Sequence, residues 1–233
     1  MNEKEIRSCL IEHLSKKHEI SDTVFISELF VNNFTCRADL VMANGQLSVF
    51  EIKSKFDNLE RLPTQVENYT SSFENVVVVC AEKHIEKVLN NYDSSIGVWL
   101  IRDSGQITIK RRSNKINLNV NSWLMHLSVS ELKNLLKKYE ISSIGNRQEL
   151  LSKVMSGIPK YKVREYVLSY FKSRHEKILK LKQNKQKNIK KSSSIYDTGL
   201  TTQESPVDLN GLTILPRKTK TNPNPRPIPV RLR

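Results

Sequence analysis

Three side chains in the first 60 residues have the types and spacing for phosphate chemistry: Asp39, Glu51 and Lys53. Side chains alternate along an extended strand, so residues 51 and 53 share one face while Ile52 faces the other. Asn44-Gly45 lies between them and Asp39 as a two-residue hairpin signal. Pairing across that turn brings Asp39 beside Glu51 and Lys53 at one edge of a sheet. Two carboxylates there can hold Mg²⁺ (or Mn²⁺), a hard cation that prefers oxygen ligands and keeps several waters. Such a cation polarises a phosphodiester and acidifies its water, while the Lys53 ammonium orients that water or neutralises charge developing on the phosphorane. The expected chemistry is metal-dependent phosphodiester hydrolysis, with Asp39, Glu51 and Lys53 catalytic and the two carboxylates as metal ligands. The alternative is a structural Glu51–Lys53 pair on a strand surface.

The elements that must position these residues follow from hydrophobic periodicity. Ile6, Cys9, Leu10, His13 and Leu14 predict an amphipathic helix over 3–17. Alternating segments at 24–30, 37–43 and 47–53 predict antiparallel strands. Leu59, Leu62, Val66, Tyr69 and Phe73 predict a helix over 57–73, with Pro63 tolerable only near its start. Val76 to Cys80 is β-branched and continuously apolar, as in a strand covered on both faces. A short helix at 83–90 and a hairpin of 96–101 with 106–111 complete the order α-β-β-β-α-β-α-β-β. After Asn119 the texture is helical, at 123–125, 129–139, 147–155 and 162–180.

Asp39 and Glu51-x-Lys53 in that order of elements resemble the PD-(D/E)XK, or restriction-endonuclease-like, nuclease superfamily. In the local string from Arg37 to Tyr69, matches at Arg37, Ser54, Asp57, Leu59, Arg61 and Leu62 are similar to a small bacterial and phage-associated branch of it. Ala38 stands where the family name has proline. The resemblance implies a restriction-endonuclease-like core, an α/β fold with a mixed central sheet flanked by helices, over roughly residues 1–110. It adds Glu28 as a further catalytic and metal-binding carboxylate. It also places Gln65 and Tyr69 of a Q-x-x-x-Y helix beside the site, and Arg37 and Arg61 on the nucleic acid. Residues 127–154 resemble the SAP motif, a helix-extension-helix module that binds DNA. There Ser128 or Ser130 caps one helix, Gly145 breaks the chain, and Lys133, Lys137 and Arg147 are expected at phosphates.

The 233 residues carry a net charge of +14, unevenly placed. Residues 1–154 hold 20 Lys+Arg against 19 Asp+Glu, whereas 155–233 hold 18 against 5. Such a basic segment attracts a polyanion through counterion release; a solubilising tail is the plainer alternative. The last 51 residues, rich in Lys, Asn, Ser, Thr and Pro, bury too little apolar surface to fold alone. The expected domains are a nuclease-like domain at 1–118, a helical SAP-like DNA-binding module at 119–182 and a disordered basic tail at 183–233. Cys9, Cys36 and Cys80 are odd in number and without C-x-x-C spacing, which argues against a disulfide framework or zinc knuckle and for a reducing compartment. The charged amphipathic N-terminus is not a secretory signal, and the longest apolar run, residues 76–81, is too short for a bilayer, so the expected location is cytoplasmic. The expected function is a DNA nuclease, acting as a homo-oligomer if it cuts both strands. The alternative is a non-catalytic nucleic-acid-binding protein or phage component, whose Pro/Arg tail could dock a protein partner.

Overall fold

Asn2 accepts a hydrogen bond from the Glu5 N–H at 3.0 Å, and the Glu5 carboxylate accepts one from the Asn2 N–H at 2.8 Å. This reciprocal cap satisfies donors that a helix N-terminus leaves orphaned. It opens α1 (Glu3–Ser15), whose Ile6, Leu10 and Leu14 recur at helical spacing and are buried. The computed structural model describes residues 1–18, 23–31 and 36–174. After α1 come β1 (Val24–Val31), β2 (Cys36–Ala43), β3 (Leu47–Lys53), α2 (Leu62–Thr70), β4 (Asn75–Cys80), α3 (Glu82–Asn91), β5 (Ile96–Ile101) and β6 (Ile107–Arg111). Then follow α4 (Val120–Leu124), α5 (Val129–Lys138) and α6 (Arg147–Gly157), and a helix α7 over 160–174.

The six strands form one sheet in sequence order. β1–β2, β2–β3 and β5–β6 are antiparallel, whereas β3–β4 and β4–β5 are parallel. Each parallel step needs a crossover, and α2 and α3 supply them. The protein is thus α/β with a mixed sheet. Every residue of β3 is buried, and β4 is buried beyond Asn75, as strands covered on both faces must be. On one face α1 packs Ile6, Leu10 and Leu14 on Leu40, Phe50, Ile52 and Val79. On the other, Val49, Val76 and Val78 join one apolar cluster that runs through Tyr69 and Phe73 to Trp123, Leu136, Leu150, Val163 and Phe171. The helices after Asn119 therefore complete the core over the sheet, within one compact unit, Met1–Asn188.

Two local readings change. The β2–β3 register pairs Ala43 with Leu47, so the hairpin loop is Asn44-Gly45-Gln46, three residues rather than two. Gly45 takes φ +85°, the left-handed position such loops require. The helix expected from residue 57 begins instead at Leu62, with Pro63 in its first turn. The Asp57 carboxylate has captured the Ser54 N–H at 2.8 Å and the Ser54 hydroxyl at 2.5 Å, and this turn competes with helical bonding.

The expected small module forms its helices. Ser128 caps α5, and Leu132, Leu135 and Leu136 are its buried face. Gly145 lies at φ +133° ahead of Asn146, which caps α6 reciprocally with Glu149. The end of the 162–180 helix and the whole 183–233 tail lie outside the described residues. Among the described residues, no helix is long and apolar enough to cross a membrane.

Candidate functional site

The β2–β3 ladder decides where the acidic residues meet. Leu40 pairs with Phe50, so the next rung sets Asp39 against Glu51. Asp39 Oδ2 accepts the Ile52 N–H at 2.7 Å. Lys53 Nζ donates to Glu51 Oε1 and to Gln65 Oε1, each at 2.8 Å. The Tyr69 hydroxyl donates to Glu51 Oε2 at 2.7 Å and itself accepts from Cys36 Sγ at 3.4 Å. Gln65 and Tyr69 are one turn apart on α2, so the helix that crosses over from β3 returns both side chains to the strand it left. Asp39, Glu51, Lys53 and Gln65 line a cleft of about 310 Å³, whose walls include Arg37 and Arg61.

The electrostatics are those of a charged cluster withdrawn from water. Burial raises the Asp39 carboxyl to about 8, and the Glu51 charge adds to the rise. Burial also raises Glu51, against the opposing pull of Lys53, Tyr69 and Gln65. Tyr69 is raised too, by burial and by Glu51, and stays a phenol that donates. One ammonium serves two buried carboxylates, so the site holds a proton or a cation more readily than it holds two bare charges.

Glu28 does not join this cluster. It stands across from Asp39, between the pairs Ser27–Leu40 and Leu29–Ala38, with the left-handed φ of +57°. Its carboxylate is committed to Arg7 and to Arg37 Nε at 2.7 Å. The strained backbone turns it to these guanidiniums, and it does not line the cleft. Among the described residues, no group of three or more His, Cys, Asp or Glu side chains is placed to hold a metal ion. Asp39 and Glu51 are the carboxylates available to one.

The expected nucleic-acid contacts divide. Arg61 is exposed just before α2, and Arg37 keeps about half its side chain in solvent despite its pair with Glu28. Lys137 is exposed on α5 and Lys133 partly so. Arg147 is instead tied down, its Nη1 donating to the Leu127 carbonyl at 2.8 Å, and braces the start of α6 against the start of α5. Sequence reasoning missed the Ser54–Asp57 turn, which carries the exposed Phe56, and Glu3, which reaches the cleft from α1. The S-x-x-D spacing was the available signal for the turn.

The family described as Bacteriophage P4 protein cII matches residues 1–195. The chain belongs to the bacteriophage P4 protein cII family. A relative in it, "Protein cII" of Enterobacteria phage P4, is 37% identical over 180 residues, covering 75% of this chain and 68% of the relative. No solved structure matches. This family overturns the identification with the PD-(D/E)XK superfamily. The reading as a metal-dependent nuclease, and as an enzyme, drawn from Asp39, Glu51 and Lys53 and from that resemblance, is overturned by the same match; the expected link to phages agrees with the family. The motif misled because strand parity and one helical step bring D, E-x-K and Q-x-x-x-Y side chains together whatever the cluster serves.

Proposed function

We infer that this member of the family is a nucleic-acid-binding protein that acts in the cytoplasm and grips the phosphate backbone without cutting it. The supporting observation is the charge division: residues 160–191 alone carry 12 Lys+Arg against 2 acidic residues, while 1–154 are near neutral. The family match includes this basic stretch. Arg37, Arg61, Lys133 and Lys137 add positive charge elsewhere on the described surface. Backbone neutralisation of this kind gives affinity that falls steeply with salt, by a log–log slope of about −0.9 per phosphate neutralised on duplex DNA. The test is fluorescence anisotropy of labelled single-stranded and duplex DNA and of RNA with the full chain, from low to high salt. Replacing Lys182, Lys185, Lys187, Lys190 and Lys191 with Gln should shallow the slope. Absence of binding, or binding indifferent to salt and to these lysines, overturns the reading. Truncation after Met155 is not a usable test, because Val163, Val167 and Phe171 belong to the core.

The same reading gives the cleft a role in binding. A divalent cation, Mg²⁺ or Mn²⁺, would sit between Asp39 and Glu51 in place of the proton that burial favours, and would bring a phosphate to a site otherwise negative. Calorimetric titration with each metal, repeated on Asp39→Asn, tests this without reference to any reaction. The expected result is stoichiometric binding lost in the variant, and equal heats for both proteins would remove the cation from the proposal.

A further inference from the structure

β3 ends at Lys53, and the chain then makes a turn unusually well braced for an exposed loop. The Ser54 N–H and hydroxyl both donate to Asp57 Oδ2. The Phe56 N–H donates to Ser54 Oγ at 3.2 Å and the Asp57 N–H to the Ser54 carbonyl at 3.2 Å. From α3, Lys83 Nζ donates to the Asp57 carbonyl at 3.1 Å, and the His84 Nε2–H lies 3.2 Å from the Ser54 carbonyl. Ser54 itself is buried. At the apex of this fixed turn the Phe56 ring is 73% exposed, although the protein has a large core to hold it. A mobile loop would fold such a ring against the surface, and here the bracing denies it that option.

The surroundings of the ring select a partner. Lys55 Nζ sits 5.5 Å from its centroid and is paired with Asp103 at 2.9 Å. Asp57 and Arg61, on the same loop, line the cleft. The Asp57 carboxylate is spent on Ser54; of the cations along this side, Arg61 is exposed, while Lys55 is shared with Asp103 and Arg37 with Glu28, each about half in solvent, with Glu60 exposed beside them and Glu3 lining the cleft. A flat apolar ring flanked by cations is the arrangement by which single-stranded nucleic acid is held, with bases on π-faces and phosphates on basic side chains.

We propose that Phe56 is a stacking platform for an unpaired base of single-stranded nucleic acid whose backbone passes Arg61 and Arg37 along the cleft. The proposal rests on the nucleic-acid reading above and deepens it, adding that the loop after β3 recognises unpaired bases while the basic residues of 160–191 supply unspecific attraction. A duplex keeps its bases stacked inside and offers Phe56 no face. The contribution of the ring is therefore confined to single strands and is independent of salt.

The experiment compares the full-length wild type with Phe56→Ala and Phe56→Trp, using a labelled single-stranded oligonucleotide and the matching duplex across a salt series. Phe56→Ala is expected to weaken single-strand binding about tenfold, as for loss of one stacked base, with duplex affinity and the salt slope unchanged. Phe56→Trp should retain affinity and show indole fluorescence quenched by the oligonucleotide but not by an abasic strand. Single-strand affinity equal to wild type in Phe56→Ala, or no base-dependent quenching in Phe56→Trp, overturns the platform while leaving the nucleic-acid reading intact. Failure of the wild type to bind either probe overturns both. A change in sedimentation coefficient between wild type and Phe56→Ala without nucleic acid assigns the ring to a self-interface and also overturns it.

Discussion

Glu51 and Glu74 are the same residue type at the same depth, 1% and 2% exposed, and they titrate in opposite directions. Burial would raise Glu74, but it is outweighed by the hydrogen bonds from Arg164, the Leu47 N–H and Lys115, so its carboxyl is held below the usual range. Arg164 reaches from α7 with Nε and Nη2, each at 3.0 Å, and its guanidinium also lies over the Trp123 ring at 5.7 Å. Lys115 adds a pair at 3.1 Å. Glu74 thus has more than enough partners and serves as the rivet between the sheet and the helical layer. Glu51 has one cation, shared in effect with Asp39, and burial wins. A saturated buried charge stabilises a fold, whereas an under-compensated one sits where the fold waits for something else.

The largest expected effect comes from breaking the rivet. Glu74→Ala leaves Arg164 and the Leu47 N–H without their acceptor at a buried junction, and should cost about 3 kcal/mol in denaturant unfolding. Arg164→Ala should cost a similar amount and the double variant little more, because both remove one interaction. Additive losses would mean that the two act separately and that the comparison with Glu51 is misdrawn.

Next is the pH dependence of the cleft. A carboxyl raised to about 8 when folded gives stability that is fully present below its unfolded pKa near 4 and lost as pH rises through about 8. Wild-type stability should therefore fall across that window. Asp39→Asn keeps an oxygen for the Ile52 N–H but cannot ionise, and should lose about 1–3 kcal/mol less than wild type between pH 4 and pH 9. Parallel pH profiles would show that Asp39 is not the group under strain. Tyr69→Phe should cost about 1–2 kcal/mol at neutral pH by stripping one donor from Glu51, and should raise the Glu51 carboxyl further, as read by carboxyl NMR shifts.

The order of elements was legible in the sequence because each strand and helix carries its own period: Val76 to Cys80 declares a central strand, and Ile6, Leu10 and Leu14 a one-faced helix. The convergence of Asp39, Glu51 and Lys53 was legible for the same reason, since strand parity and the Asn44-Gly45 turn fix faces without tertiary information, whereas Gln65 and Tyr69 were placed beside them only through the resemblance. What failed was local competition and long-range pairing. The Ser54–Asp57 turn engages the Ser54 N–H and hydroxyl and the Phe56 and Asp57 N–H groups, and α2 starts only at Leu62. Nothing near Glu28 in sequence announces that Arg7, on another element, will claim its carboxylate. Arg164 is 90 residues from Glu74 and reads as one more basic residue in a basic segment. The family was not legible either, because a charge cluster of this shape carries no signature of what it serves.

Two arginines expected at the nucleic acid give the finest division between holding the fold and meeting a ligand. Arg147 spends a guanidinium N–H on the Leu127 carbonyl, so Arg147→Ala should lower stability by about 1 kcal/mol and leave nucleic-acid affinity within error. Arg61 is exposed at the cleft, so Arg61→Ala should leave unfolding unchanged within about 0.5 kcal/mol. It should weaken single-strand binding only a few-fold and reduce the salt slope by about one phosphate. If the two variants exchange these outcomes, the ligand approaches over the α5–α6 junction rather than the cleft, and the contrast between a saturated helical layer and a waiting cleft fails where it is most exposed to test.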